Sequence, residues 1–124
     1  MTVTPSLETG ALLGIIEQCG TAVATLVEGL ARDELLRSRL TRTEVLRQTR
    51  ILATSAMAIR PSVGSVMPEI DWSGWEVMGR QLELPPSEQL DDALWFACES
   101  LVPATLLWLR VHRRSQPALF QMSI

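Results

Sequence analysis

Side chains that could perform chemistry are scarce in this 124-residue chain. It has one histidine, His112, no tyrosine, and two cysteines, Cys19 and Cys98. Acid–base catalysis near neutral pH usually relies on histidine, and metal sites and disulfide frameworks need more ligands or cysteines than these. We therefore expect no metal, no cofactor and two buried reduced thiols. His112 lies beside Arg110 and Arg113, so these residues form either a small anion- or RNA-contacting patch or a solvated helix end.

The remaining polar and aromatic clusters have structural explanations. Glu88, Asp91 and Asp92 fall at the predicted start of a helix, where the helix dipole favours carboxylates. The four tryptophans are expected to anchor the core and interfaces; they are Trp72, Trp75, Trp95 and Trp108. The net charge of −3 argues against broad, sequence-independent binding of nucleic acid.

The elements that must position these side chains are helices. Apolar residues recur at three- and four-residue steps, which predicts four main helices and one short helical turn. The main helices are predicted over residues 7–30, 42–59, 72–83 and 88–114, and the short turn over 31–39. Ser6, Asp71 and Ser87 suit the N-terminal caps of three of the helices.

The second helix has the clearest predicted limits. Thr41 and Glu44 have the spacing of a capping box, and Pro61 is expected to end the helix because it disfavours the helical conformation of Arg60. In the last helix, Pro103 is expected to produce a kink.

These patterns predict an all-α, up-and-down helical bundle. It forms one domain over residues 1–124, with a core at about 7–114 and a tail at 115–124. No basic segment precedes an N-terminal apolar run, and no apolar run reaches the length of about 18 residues that a membrane span needs. The expected location is the bacterial cytoplasm, without membrane association.

Four short motifs follow one another along the second half of the chain. The motifs are Pro68–Trp72 (PEIDW), Met78–Arg80 (MGR), Leu90–Trp95 (LDDALW) and Leu101–Pro103 (LVP). Their order and spacing resemble the HepT-like branch of the HEPN superfamily. The upstream segments 35–45 and 51–56 are similar to that branch as well, so the resemblance covers about residues 7–114.

The resemblance implies a HEPN-like bundle that forms a homodimer through its helices. The usual partner of this branch is a minimal, MNT-type nucleotidyltransferase, and the two proteins form a toxin–antitoxin pair. Catalytic members are metal-independent ribonucleases in which an Arg and a His of one motif meet across the dimer. A Tyr two residues after the His accepts AMP from the partner.

This chain departs from the family at those positions. With the tryptophans aligned, Gly79 occupies the position of the family Arg, Leu84 that of the His, and Pro86 that of the Tyr. Arg80 could replace the Arg by a slip of one residue and contact a phosphate, RNA or a partner, or it could pair with Glu76 on the helix surface. Leucine cannot transfer a proton, so the ribonuclease activity is not expected here.

Three functions remain open at this point. The favoured one is a non-catalytic HepT-like protein that binds a nucleotidyltransferase in a toxin–antitoxin-like pair. The second is an active ribonuclease toxin with a rearranged site that uses Arg80 and His112, with RNA as its less favoured ligand. The third is a helical bundle with a small-molecule pocket near Trp75 and Trp95.

Overall fold

The computed structural model describes residues 6–121, and every regular element in this part of the chain is helical. In order, the elements are α1 (Leu7–Val27), α2 (Arg32–Arg37), α3 (Arg39–Val63), α4 (Trp72–Gln81), α5 (Glu88–Phe96), a π-helical turn (Ala97–Leu101), α6 (Val102–Ser115) and a 3₁₀ turn (Pro117–Phe120). The predicted all-α helical bundle is confirmed. Residues 1–5 and 122–124 of the predicted domain lie outside the described residues.

Three helices begin where the sequence predicts. Ser6, Asp71 and Ser87 are the N-caps of α1, α4 and α5, and each side chain accepts a hydrogen bond from the backbone N–H three residues later. These bonds satisfy N–H groups that have no partner within the helix. The starts could be predicted because capping is a local interaction.

Helix α3 is longer at both ends than predicted. Its N-cap is Ser38, whose hydroxyl donates to that of Thr41 at 3.0 Å, so the prediction of a Thr41 cap is wrong. Glu44 accepts bonds from side chains further along α3 and does not reach back. Pro61 lies inside the last turn, where the helix continues to the fully buried Val63. Burial of the Val63 side chain offsets the one backbone hydrogen bond that Pro61 cannot donate.

The core lies mainly between α1 and α3, and α4, α5 and α6 close it. The largest side chains that are almost wholly excluded from solvent come from every main helix and from the connections between them: Trp75, Leu13, Ile16, Leu35, Leu52, Ile59, Met67, Leu82, Leu90, Leu94, Leu109 and Val23. At Gly20 of α1 an added Cβ would lie 2.8 Å from a methyl carbon of Leu106, so glycine allows α6 to approach closely there.

Just before Pro103, where the sequence predicts a kink, the last helix contains a π-helical turn. Pro103 has no N–H, and its ring would crowd the carbonyl of Glu99 in a regular α-helix. The chain widens over Ala97–Leu101, and the N–H of Val102 donates to the carbonyl of Ala97. One more residue is thereby accommodated between α5 and α6.

The C-terminal segment is not the predicted tail over the residues that the structure describes. Helix α6 extends to Ser115, and Leu119 and Phe120 of the 3₁₀ turn are buried. The turn packs on α1. The guanidinium of Arg113 lies 4.7 Å from the centre of the Phe120 ring, which adds a cation–π contact.

Two helices are long and apolar enough to cross a membrane by length and composition alone. They are α1 and the continuous helical segment from Glu88 to Ser115. Both also line the core of the bundle, and core helices often meet the same criterion. The cytoplasmic location stays a prediction.

Candidate interaction surface

The four residues that the resemblance aligns with the family's motif lie along α4 and its connection to α5. Gly79 faces α3, since a Cβ there would lie 3.7 Å from that of Ala53. Arg80 is exposed, and its Nη1 lies 3.7 Å from Oε2 of Glu76, one turn earlier on the helix. Pro86 is exposed in the connection. Arg80 therefore forms the surface pair that its spacing allows.

Leu84 lines a surface hollow of about 530 Å³, which we call the motif hollow. Its walls are formed by Gln81, Leu84, Gln89, Asp92, Ala93 and Phe96. The ring of Phe96 is 53% exposed, and Val77, one turn before Gln81 on α4, is 45% exposed. This face of the protein thus combines apolar side chains with two amides and one carboxylate.

Long-range polar contacts hold the walls of the motif hollow in place. Arg50 of α3 donates two hydrogen bonds, of 3.0 and 2.6 Å, to the carbonyl of Leu82 at the end of α4. At the start of α5, Asp91 pairs with Arg42 at 2.7 Å and Asp92 with Arg32 at 2.5 Å. Two of the three carboxylates in the predicted acidic cluster, those of Asp91 and Asp92, are therefore paired with arginines.

No group of three His, Cys, Asp or Glu side chains within residues 6–121 is arranged to hold a metal ion. The one carboxylate in the motif hollow belongs to Asp92, which is bound to Arg32. The hollow can therefore bind apolar and amide groups, but its walls supply no histidine or unengaged carboxylate for proton transfer.

His112 is buried, with 7% of its surface exposed, so the prediction of a solvated helix end is wrong. Its Nε2 lies 2.7 Å from Oε1 of Glu69, and its Nδ1 lies 3.0 Å from Nε2 of Gln116. Both ring nitrogens are occupied by protein groups. The sequence contained a signal for this burial, because the apolar stripe through Thr105 and Trp108 reaches His112 at the next helical step.

The Glu69 carboxylate stabilises the loop between α3 and α4. A hydrogen bond to its own backbone and a second bond to His112 hold the pKa of Glu69 below its ordinary value. Glu69 also borders a hollow of about 450 Å³ that includes Arg60 and Ser73.

The predicted basic patch is divided among different partners. Arg113 forms an ion pair with Glu17 of α1 at 2.5 Å, in addition to its contact with Phe120. Arg110 is exposed and borders a third hollow, of about 550 Å³, with Leu107 on the outer face of α6. Arg80 pairs with Glu76 and His112 with Glu69, so no contact joins Arg80 to His112.

The space beside Trp75 is filled with protein. Trp75 is fully buried, and its indole N–H donates to the hydroxyl of Thr105 at 2.9 Å. Trp72 is also buried and donates to the carbonyl of Met67, whereas Trp95 is only partly buried. A packed core at Trp75 counts against a small-molecule pocket there.

Both cysteines are unpaired and buried, as the sequence predicts. Burial raises the pKa of the Cys98 thiol to about 12 and also raises that of Cys19. These thiols are therefore protonated and poorly nucleophilic at neutral pH.

The chain matches no family model, no curated protein and no solved structure. The resemblance to the HepT-like branch rests on the motifs of the chain itself.

Proposed function

We propose that this protein is a non-catalytic, HepT-like interaction protein of the bacterial cytoplasm. It forms a homodimer and binds a minimal, MNT-type nucleotidyltransferase in a toxin–antitoxin-like pair. The observation that carries the proposal is the motif hollow. At the position where the family has its histidine, Leu84 lines a hollow together with Phe96 and Ala93.

Chemistry at this position would need a group that accepts and returns a proton. Asp92 is engaged by Arg32, and the one histidine is buried against Glu69. The exposed Arg80 lies on α4 beside Glu76. These contacts favour an interaction protein over the rearranged ribonuclease.

The same face has the composition of a contact surface. Phe96 and Val77 are large apolar side chains that are about half exposed, and two glutamines beside them supply hydrogen-bonding groups. Exposed apolar side chains surrounded by polar groups are typical of protein–protein interfaces. Arg50 fixes the carbonyl end of α4, so the surface is presented on a rigid support.

The experiment is co-purification with the product of the neighbouring gene, combined with measurement of the protein's mass in solution. We expect Phe96→Glu to weaken the dimer or the complex at least tenfold. Leu40→Glu is the matched control, because Leu40 is 85% exposed near the start of α3 and does not border the motif hollow. A strictly monomeric protein, a nucleotidyltransferase neighbour that forms no complex, or equal effects of the two variants would contradict the proposal.

A further inference from the structure

His112 connects two segments that are distant in the sequence. Through Nε2 it contacts Glu69 in the connection between α3 and α4, and through Nδ1 it contacts Gln116 at the end of α6. The side-chain nitrogen of Gln116 also donates to the backbone carbonyl of Val66 at 3.1 Å. The three side chains therefore join the C-terminal turn to the α3–α4 connection.

The chemistry of these groups determines where the hydrogens lie. A carbonyl only accepts, so the Gln116 amide must present its nitrogen to Val66. An amide nitrogen only donates, so Nδ1 of His112 must accept the second N–H of Gln116. The single ring proton is then on Nε2 and is donated to Glu69. The network is complete only when the imidazole is neutral.

Two charged side chains lie beside His112. The Glu69 carboxylate is bonded to the ring through Nε2. Arg113, the next residue on α6, is paired with Glu17 of α1. A proton on Nδ1 would face the N–H of Gln116, and two donors cannot share one hydrogen bond.

We propose that protonation of His112 acts as a switch that detaches Gln116 from Val66 and loosens the C-terminal turn. Once Nδ1 is protonated, the Gln116 amide rotates to present its oxygen to the ring. The rotation turns that amide's nitrogen away from Val66, whose carbonyl loses its donor. The bond to Glu69 persists in both states, because Nε2 keeps its proton.

The consequence reaches α1 through the 3₁₀ turn. Gln116 is the residue just before this turn, and its backbone carbonyl accepts the N–H of Leu119 at 3.1 Å, so the bond from its side chain to Val66 fixes the residue from which the turn begins. Leu119 and Phe120 are buried against the bundle, and the turn packs on α1. Protonation of the ring is therefore expected to raise the fraction of molecules in which the turn opens and uncovers apolar surface on α1.

The test uses nuclear magnetic resonance on the whole chain, in which the one histidine gives unambiguous ring signals. At neutral pH the ring should carry its proton on Nε2. As the ring becomes protonated, hydrogen exchange at the Leu119 amide should accelerate about two- to tenfold after correction for the intrinsic rate, the range expected for loss of one hydrogen bond.

A pair of glutamine variants isolates the mechanism. Gln116→Ala should abolish the pH dependence of Leu119 exchange, whereas Gln121→Ala should preserve it, because Gln121 is an exposed residue just after the turn. A proton on Nδ1 at neutral pH, a ring that stays neutral until the protein unfolds, or an unchanged pH dependence in Gln116→Ala would each overturn the proposal. The first two measurements use the unaltered protein and do not depend on the stability of any variant.

Discussion

Replacement of Thr105 by valine should destabilise the protein far more than the loss of one exposed hydroxyl would. Thr105 and Trp75 are both buried, and the hydroxyl accepts the indole N–H at 2.9 Å while it donates to the carbonyl of Leu101 at 2.8 Å. Valine keeps the shape but leaves the indole N–H without a partner. A buried donor left in this state costs about 1–3 kcal/mol. We therefore expect a loss of about 2 kcal/mol, or a decrease of about 8 °C in Tm for a chain of this length.

A double-mutant cycle separates this penalty from a change in packing. Trp75→Phe removes the donor and leaves a void, at a cost of about 1–3 kcal/mol. In the Trp75→Phe protein, Thr105→Val no longer leaves an indole N–H without a partner. The loss in free energy of unfolding caused by Thr105→Val should therefore be smaller by about 1–2 kcal/mol.

The assay is urea unfolding of the four proteins, followed by far-ultraviolet circular dichroism because Trp75→Phe alters the fluorescence. The slope of the free energy of unfolding against urea concentration should be the same in all four, which would show that the native states are equally compact. If the two substitutions are additive within about 0.5 kcal/mol, the reasoning is refuted. Water would then reach the indole, and a ligand pocket beside Trp75 would again be tenable.

Three further outcomes follow from burial and charge. Leu119→Ala should lower the free energy of unfolding by about 2–4 kcal/mol, measured in urea, because Leu119 is 4% exposed; a tail residue would give a value near zero. The thiol of Cys98, with its pKa raised to about 12, should react with a disulfide reagent at pH 8 only after unfolding, and rapid reaction of the native protein would contradict its burial. Hydrogen bonds from Arg47 and Gln48 lower the pKa of Glu44 to about 2, so the stability it contributes is present above pH 4.5 and is lost as the pH falls to 2. Glu44→Gln should therefore be less stable than the natural chain at pH 7 and equal to it near pH 2, whereas a constant difference across thermal melts over this range would count against the pair.

The parts of the fold that depend on neighbouring residues could be predicted from the sequence. Ser6, Asp71 and Ser87 cap their helices through bonds that span three residues, and each is followed by an apolar stripe. The limits of α3 could not be predicted in this way. Thr41 has the right residue type for a cap, but the chain is already helical two residues earlier. Pro61 is tolerated because α3 continues to Val63, and the burial of Val63 depends on the whole bundle.

In the candidate sites too, local contacts could be predicted from the sequence and contacts between distant residues could not. The sequence predicts the pairing of Arg80 with Glu76 as one of two possibilities, because the two residues are four positions apart on one helix. The burial of His112 could have been inferred from the stripe on α6, but its bond to Glu69 joins residues 43 positions apart. Such a contact depends on how the α3–α4 connection folds over α6. The hollow at Leu84 likewise needs α4 and α5 together, and the sequence indicates only that leucine occupies that position.

The π-helical turn keeps the two halves of the last long helix in phase. Each residue of a regular α-helix advances the chain by about 100° around its axis, so one added residue would rotate every side chain after it. The wider turn over Ala97–Leu101 takes up the extra residue instead, and Leu109 and His112 still face the core. Removal of one residue within the turn, such as the exposed Ser100, should therefore leave the same face of α6 in the core, whereas removal of Ala104 in the regular part of α6 should rotate Leu109 and His112 out of it. Homologues that keep this packing should therefore differ in length by one residue only within the segment between Phe96 and Pro103.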